Sequence, residues 1–156
     1  MNSPEPCQLI GILDDGWAGL GDAARARLTG CDLLIGARRT LELVAPHLPS
    51  RVEQRVMDGL LGRVPEWVRA AQGAGQSCAV LATGDPLCHG IASFLAGKLG
   101  TAAITVHPAP STLQLAFARL GQSWQGATIV SVHGHDAGEW QPGAGPDHGL
   151  YPLMRA

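Results

Sequence analysis

A run of small and apolar residues, Cys78-Ala79-Val80-Leu81-Ala82, stops abruptly at Thr83-Gly84-Asp85-Pro86, and a helical pattern follows. An apolar run with no polar alternation describes a strand covered on both faces, as a parallel sheet provides. Open α/β sheets bind small molecules at the carboxyl ends of their strands. The turn therefore sets backbone amides, the Thr83 hydroxyl and the Asp85 carboxylate where a ligand would lie. The stretch Thr105-Val106-His107-Pro108-Ala109-Pro110-Ser111-Thr112 repeats the design. Two such junctions imply a shared crevice.

The rest of the chain follows the same alternation. Cys7 to Leu13 reads as a buried strand broken by Asp14-Asp15-Gly16, and Gly21 to Leu28 as a helix. Leu33 to Ile35 is a strand, Arg38 to His47 a short helix ended by Pro46 and Pro49, and Arg51 to Met57 a weakly alternating strand. Pro65 to Gln72 has proline at a helix start and ends at Gly73-Ala74-Gly75. After the central strand come a helix from about Leu87 to Leu99, a strand from Ala103 to Val106, a helix from Ser111 to Leu120 and a strand from Thr128 to Val132. Strands that are each apolar throughout, alternating with helices, predict an α/β fold: a mostly parallel sheet of about five strands, helices on both faces and right-handed crossovers. Residues 1–133 form this domain. Residues 134–156, rich in glycine and proline and ending in Leu150-Tyr151-Pro152-Leu153-Met154-Arg155, read as a linker and the opening of a second domain that is cut short.

Composition narrows the function. A formal charge of -2 with Lys98 as the single lysine offers no basic surface for a phosphate backbone, which excludes nucleic acid as the main partner. Cys7, Cys31, Cys78 and Cys88 show no CxxC pair and read as reduced thiols of a cytoplasmic protein. No apolar run reaches membrane-spanning length, and no basic and apolar leader opens the chain.

Several familiar sites fail on particular residues. Gly11-Ile12-Leu13-Asp14-Asp15-Gly16 has the outer glycines of a dinucleotide fingerprint, but Leu13 replaces the middle one and two aspartates would repel a pyrophosphate. Lys98 lacks the neighbours of a phosphate-binding loop. His133-Gly134-His135-Asp136 has no third ligand at a recognisable spacing, so no metal is expected and a polar loop is the better reading. Cys88 and His89 are helix neighbours about 100° apart and do not pair as nucleophile and base; they read as small apolar filling and as a packed or pocket-lining side chain. At the two turns, Asp85 with Pro86 after it, and Ser111 with Thr112, fit helix caps as well as ligand contacts.

Longer stretches add a resemblance. Gly11-Ile12-x-x-Asp15-Gly16, Leu81 to Leu87 with Gly90-Ile91, the long run Pro108 to Gly121, then Trp124-Gln125 and Val130-Ser131-Val132-His133-Gly134 resemble the tetrapyrrole methylases, most fully their precorrin carbon-5 branch. The resemblance implies the amino-terminal domain of a two-domain enzyme of cobalamin biosynthesis, with S-adenosylmethionine as methyl donor and a precorrin as acceptor. It places donor contacts at Asp14, Thr83, Gly84, Asp85, Cys88, Ser111 and Thr112. It also implies a homodimer and a carbon-15 methylase and decarboxylase, fused or separate. Leu13 and Cys88-His89 depart from the family pattern. A chain ending inside the second domain should bind donor weakly and not turn over alone. A uroporphyrinogen methylase and a non-catalytic ligand-binding α/β module are the rival readings.

Overall fold

The computed structural model describes residues 5–88, 90–129, 142, 143, 145, 146 and 148. The chain forms two compact units, Met1–Ala116 and Phe117–Ala156. The first holds strands β1 (Cys7–Ile12), β2 (Leu33–Gly36), β3 (Glu53–Val56), β4 (Cys78–Thr83) and β5 (Ile104–His107), in one sheet of order β3-β2-β4-β1-β5. Every pairing is parallel, with Gly11 opposite Ala82 and Ile12 opposite Thr83 between β1 and β4.

Alternation along the strands sends side chains to two cores. On one face Leu9, Ile35 and Val80 pack with Val64 and Val68 of α3 (Val64–Gly73) and Ala92 and Leu95 of α4 (Ile91–Leu99). On the other, Ile10, Ile12, Leu34 and Leu81 pack with Leu28 of α1 (Asp22–Gly30) and Leu41 and Val44 of α2 (Arg38–Val44). Each fully buried aliphatic side chain contributes about 1.5–3 kcal/mol relative to exposure. The expected architecture is present, with helices on both faces.

Not every strand is apolar throughout. β2 is buried along its whole length, whereas β3 (Glu-Gln-Arg-Val) and β5 are the sheet edges and keep polar residues at the surface. Thr128 and Ile129 lie outside any strand, and Val130–Val132 fall outside the described residues, as do His89, His133 to Asp136 and 149–156.

Glycines end the helices where a left-handed residue is needed. After α3, Gly75 (φ 70°) and Gln76 return their N–H groups to Gln72 and Ala71. α5 (Thr112–Leu120) passes from the first unit into the second, where Gly121 (φ 63°) and Gln122 repeat that pattern onto Ala118 and Phe117. Both are Schellman closures.

Candidate functional site

The connections decide where the sheet opens. β1 leads to β2 through α1 on one face, and β4 leads to β5 through α4 on the other. Adjacent strands whose connections leave to opposite sides create a crevice at their carboxyl ends. Here the pair is β1 and β4, so Leu13 to Asp15 and Thr83 to Asp85 flank the opening.

A third loop closes on the same point. Pro108 and Pro110 carry no N–H, which leaves Ala109 as the sole main-chain donor of that segment. Its N–H reaches the Gly84 carbonyl at 3.4 Å, while the Gly84 N–H donates to Ile12 O at 3.0 Å. Gly11 lies under this junction, and a methyl group on it would sit 2.1 Å from Gly84 O and 2.4 Å from Ala109 N. Gly84 has φ 68°, and a methyl group there would stand 3.3 Å from Pro110 O and 3.9 Å from the Ser111 Cα. Two glycines thus let three backbone segments touch, and the Gly84 and Ser111 turns share one rim.

Asp85 acts differently from a cap on α4. Its Oδ1 accepts the Leu87 N–H at 2.9 Å and its carbonyl accepts the Cys88 N–H at 3.0 Å, making a local turn. α4 therefore starts at Ile91, four residues later than the sequence pattern implies. Gly90 abuts the turn: a methyl group there would be 2.4 Å from Pro86 O, the acceptor of the Ala92 N–H. The half-buried Asp85 carboxylate keeps Oδ2 without a partner among the described residues. Cys88 is exposed rather than apolar filling, and Thr83 is exposed as well.

Ser111 does cap a helix. Its Oγ accepts the Gln114 N–H at 3.3 Å and its own N–H donates to Gln114 Oε1 at 2.7 Å, a reciprocal capping box at the start of α5. The Ser111 amide is therefore spent within the protein, and its hydroxyl proton is what remains to offer. Thr112 follows at the surface.

Asp14 is engaged by another element. Its carboxylate pairs with Arg39 of α2, an exposed ion pair. Asp15 instead lines a 180 Å³ pocket, together with Gly11, Leu13, His107, Ala109 and Pro110. Its carboxylate fills the space above Gly19, where a methyl group would be 2.2 Å from either oxygen. The loop bearing both aspartates is steadied by the Trp17 ring, stacked on His47 at 4.8 Å with Arg25 5.7 Å from its centroid. Gly11, Asp15 and His107, to which the resemblance assigns no donor contact, also line this pocket. The Gly19 that makes room for Asp15 was the available signal.

Among the described residues no group of three or more His, Cys, Asp or Glu is arranged to hold a metal, and no helix is long and apolar enough to cross a membrane. The rim offers small backbone-rich surfaces, one half-buried carboxylate and hydroxyls. Such a surface can hold and orient a ligand.

Comparison with known proteins bears on which ligand. Over 126 residues the chain is 39% identical to a precorrin-6Y C(5,15)-methyltransferase [decarboxylating] of Sinorhizobium sp, covering 81% of this chain and 30% of that protein. It is 27% identical to a probable cobalt-precorrin-7 C(5)-methyltransferase of Methanocaldococcus jannaschii, covering 76% of this chain and 59% of the relative. The crystal structure of a precorrin-6Y methylase from Archaeoglobus fulgidus superposes with a TM-score of 0.58 at 26% identity, covering 77% of this chain and 60% of that one. The chain thus spans under two thirds of the length of each of these relatives. Residues 8–150 match the family model of the tetrapyrrole (corrin/porphyrin) methylases, which takes in the five strands from the second residue of β1 onward and the whole rim. With this sheet, these turns and that match, the chain belongs to the tetrapyrrole methylases.

Proposed function

We propose that this chain supplies the donor-binding side of an S-adenosylmethionine-dependent methyltransferase acting on carbon 5 of a precorrin in cobalamin biosynthesis. The observation that carries the reading is the Gly84–Ala109 junction over Gly11, which joins the two candidate turns at the crevice between β1 and β4. The relatives' names supply the substrate class.

The residues present suit such a donor. Gly84 admits close approach to the backbone, and the free oxygen of Asp85 can accept from hydroxyls or an amino group. Thr83, Cys88, Ser111 and Thr112 complete the rim, with Asp14 at its outer end beside Arg39. When bound, the donor supplies an electrophilic methyl group on a sulfonium. The protein's task is alignment, so the lack of a nucleophile–base pair among these residues is no obstacle. A homodimer in the cytoplasm, and a carbon-15 methylase and decarboxylase as fused or separate companion, belong to the same proposal.

The test is calorimetric titration with S-adenosylhomocysteine, followed by transfer of labelled methyl to a precorrin acceptor. The 156 residues alone should give weak, saturable binding that Asp85→Ala abolishes, and no turnover; turnover should appear when the remainder of a carbon-5 methylase is supplied. Binding unaffected by Asp85→Ala would favour a non-catalytic module, and preferential methylation of uroporphyrinogen would move the chain to another branch.

A further inference from the structure

We propose that Cys7 and Cys78 form a redox-reactive pair at the amino edge of the sheet, where a small hydroperoxide converts the two thiols to an intrachain disulfide. The pair lies at the opposite end of the strands from the crevice, and the proposal is independent of the methyl-donor reading.

Strand register brings the two together. β1 begins at Cys7 and β4 at Cys78, and Gln8 stands opposite Ala79, so the two cysteines are opposite each other on adjacent parallel strands. Neighbouring strands run about 4.8 Å apart, and a disulfide spans Cα separations of about 4.4–6.8 Å. Both side chains belong to one core cluster, on the same face of the sheet. Cys31 belongs to the other cluster and donates its thiol to Leu28 O at 3.3 Å. The partner of Cys78 is therefore Cys7.

A cavity supplies the route. It measures 340 Å³, lies at the amino ends of β1, β2 and β4 beside α1, and is lined by Gln8, Arg27, Ser77 and Cys78. Hydrogen peroxide is little larger than water, whose share of liquid volume is about 30 Å³, and fits such a space easily. The Cys7 thiol donates to the Cys78 sulfur, which lowers the Cys78 pKa against the opposing effects of burial and Glu5 and raises that of Cys7. Cys78 is thus the nucleophile, because the thiolate is the attacking form. Its sulfur attacks one peroxide oxygen; the O–O bond breaks, the Cys78 proton leaves with the second oxygen as water, and a sulfenic acid remains. The Cys7 sulfur then attacks that of Cys78; the S–O bond breaks and the hydroxyl leaves as water with the Cys7 proton. Two thiols lose two electrons, and one hydrogen peroxide becomes two waters.

The test uses the Cys88→Ala chain, in which the thiols left are the buried Cys7, Cys31 and Cys78. The native chain is treated with hydrogen peroxide and quenched with catalase, then unfolded for thiol counting and peptide mapping. The expected result is a Cys7–Cys78 disulfide with Cys31 still free, and recovery of all the thiols in dithiothreitol. In Cys7→Ala the second step is lost, so dimedone should trap a sulfenic acid on Cys78. Thiols that all survive a peroxide dose able to oxidise the urea-unfolded chain would overturn the proposal, as would a bridge that includes Cys31 or joins two chains. A folded Cys7→Ala chain that gives no dimedone adduct would overturn Cys78 as the nucleophile. The mapping of the Cys88→Ala chain changes nothing in the core, so it decides the pairing even where Cys7→Ala fails to fold.

Discussion

The carbonyl of Gly84 accepts the N–H of Ala109 directly above the bare α-carbon of Gly11. The loops that follow β4 and β5 are thereby joined across the end of β1, which lies between them in the sheet. A ligand held by one turn is necessarily beside the other.

Side chains at these glycines should separate the loops. Gly11→Ala places a methyl group against two backbone atoms that cannot rotate away, at an expected cost of about 1–3 kcal/mol. Gly84→Ala keeps nearly enough room but holds alanine in a left-handed conformation, at about 1–2 kcal/mol. Urea unfolding should rank both below the parent, and both should lose S-adenosylhomocysteine binding.

The capping box at α5 is a separate stability element. Ser111→Ala removes the acceptor for the Gln114 N–H and should cost about 1 kcal/mol. Ser111→Asp, which restores an acceptor, should recover most of the stability. Thermal melts of the two variants check this.

Thiol labelling should divide the four cysteines. Cys88 is exposed, whereas Cys7, Cys31 and Cys78 are buried. A hydrogen bond with Cys78 and burial raise the Cys7 pKa, and burial pushes Cys31 up to about 11. A maleimide should modify one thiol in the native protein and all four in denaturant. S-Adenosylhomocysteine should slow the native reaction if Cys88 borders the donor.

Acid should weaken the amino edge of the sheet first at Asp32. Hydrogen bonds from the Ser77 backbone N–H and hydroxyl, each 2.9 Å, hold its carboxyl below the usual 3.8 and link the starts of β2 and β4. A carboxyl whose folded pKa is depressed stabilises the fold above the unfolded value, and that contribution is lost as pH falls through the folded one. Asp32→Asn should therefore lower the melting temperature at pH 7, with the difference from the parent closing as pH falls below about 4.

The strands and their order of appearance were legible because apolar runs and turns mark a parallel sheet locally. Both candidate turns were legible for the same reason. The start of α4 was not, since Asp85 and Pro86 at a strand end satisfy a cap and a free-standing turn equally well in sequence; the choice came from Asp85 bonding Leu87 and from Gly90 pressed on Pro86. The two aspartates were not separable either. Asp14 pairs with Arg39, distant in sequence, and only that tertiary partner leaves Asp15 to the pocket.

The central claim is that the joined turns cradle the methyl donor. Titrating S-adenosylhomocysteine into the 15N-labelled chain tests it through individual amides. The account predicts saturable shifts at Gly11, Gly84 and Ala109, with Ser77 and Gly30 at the opposite edge unmoved. Shifts confined to that opposite edge, or none anywhere at saturating ligand, would contradict it.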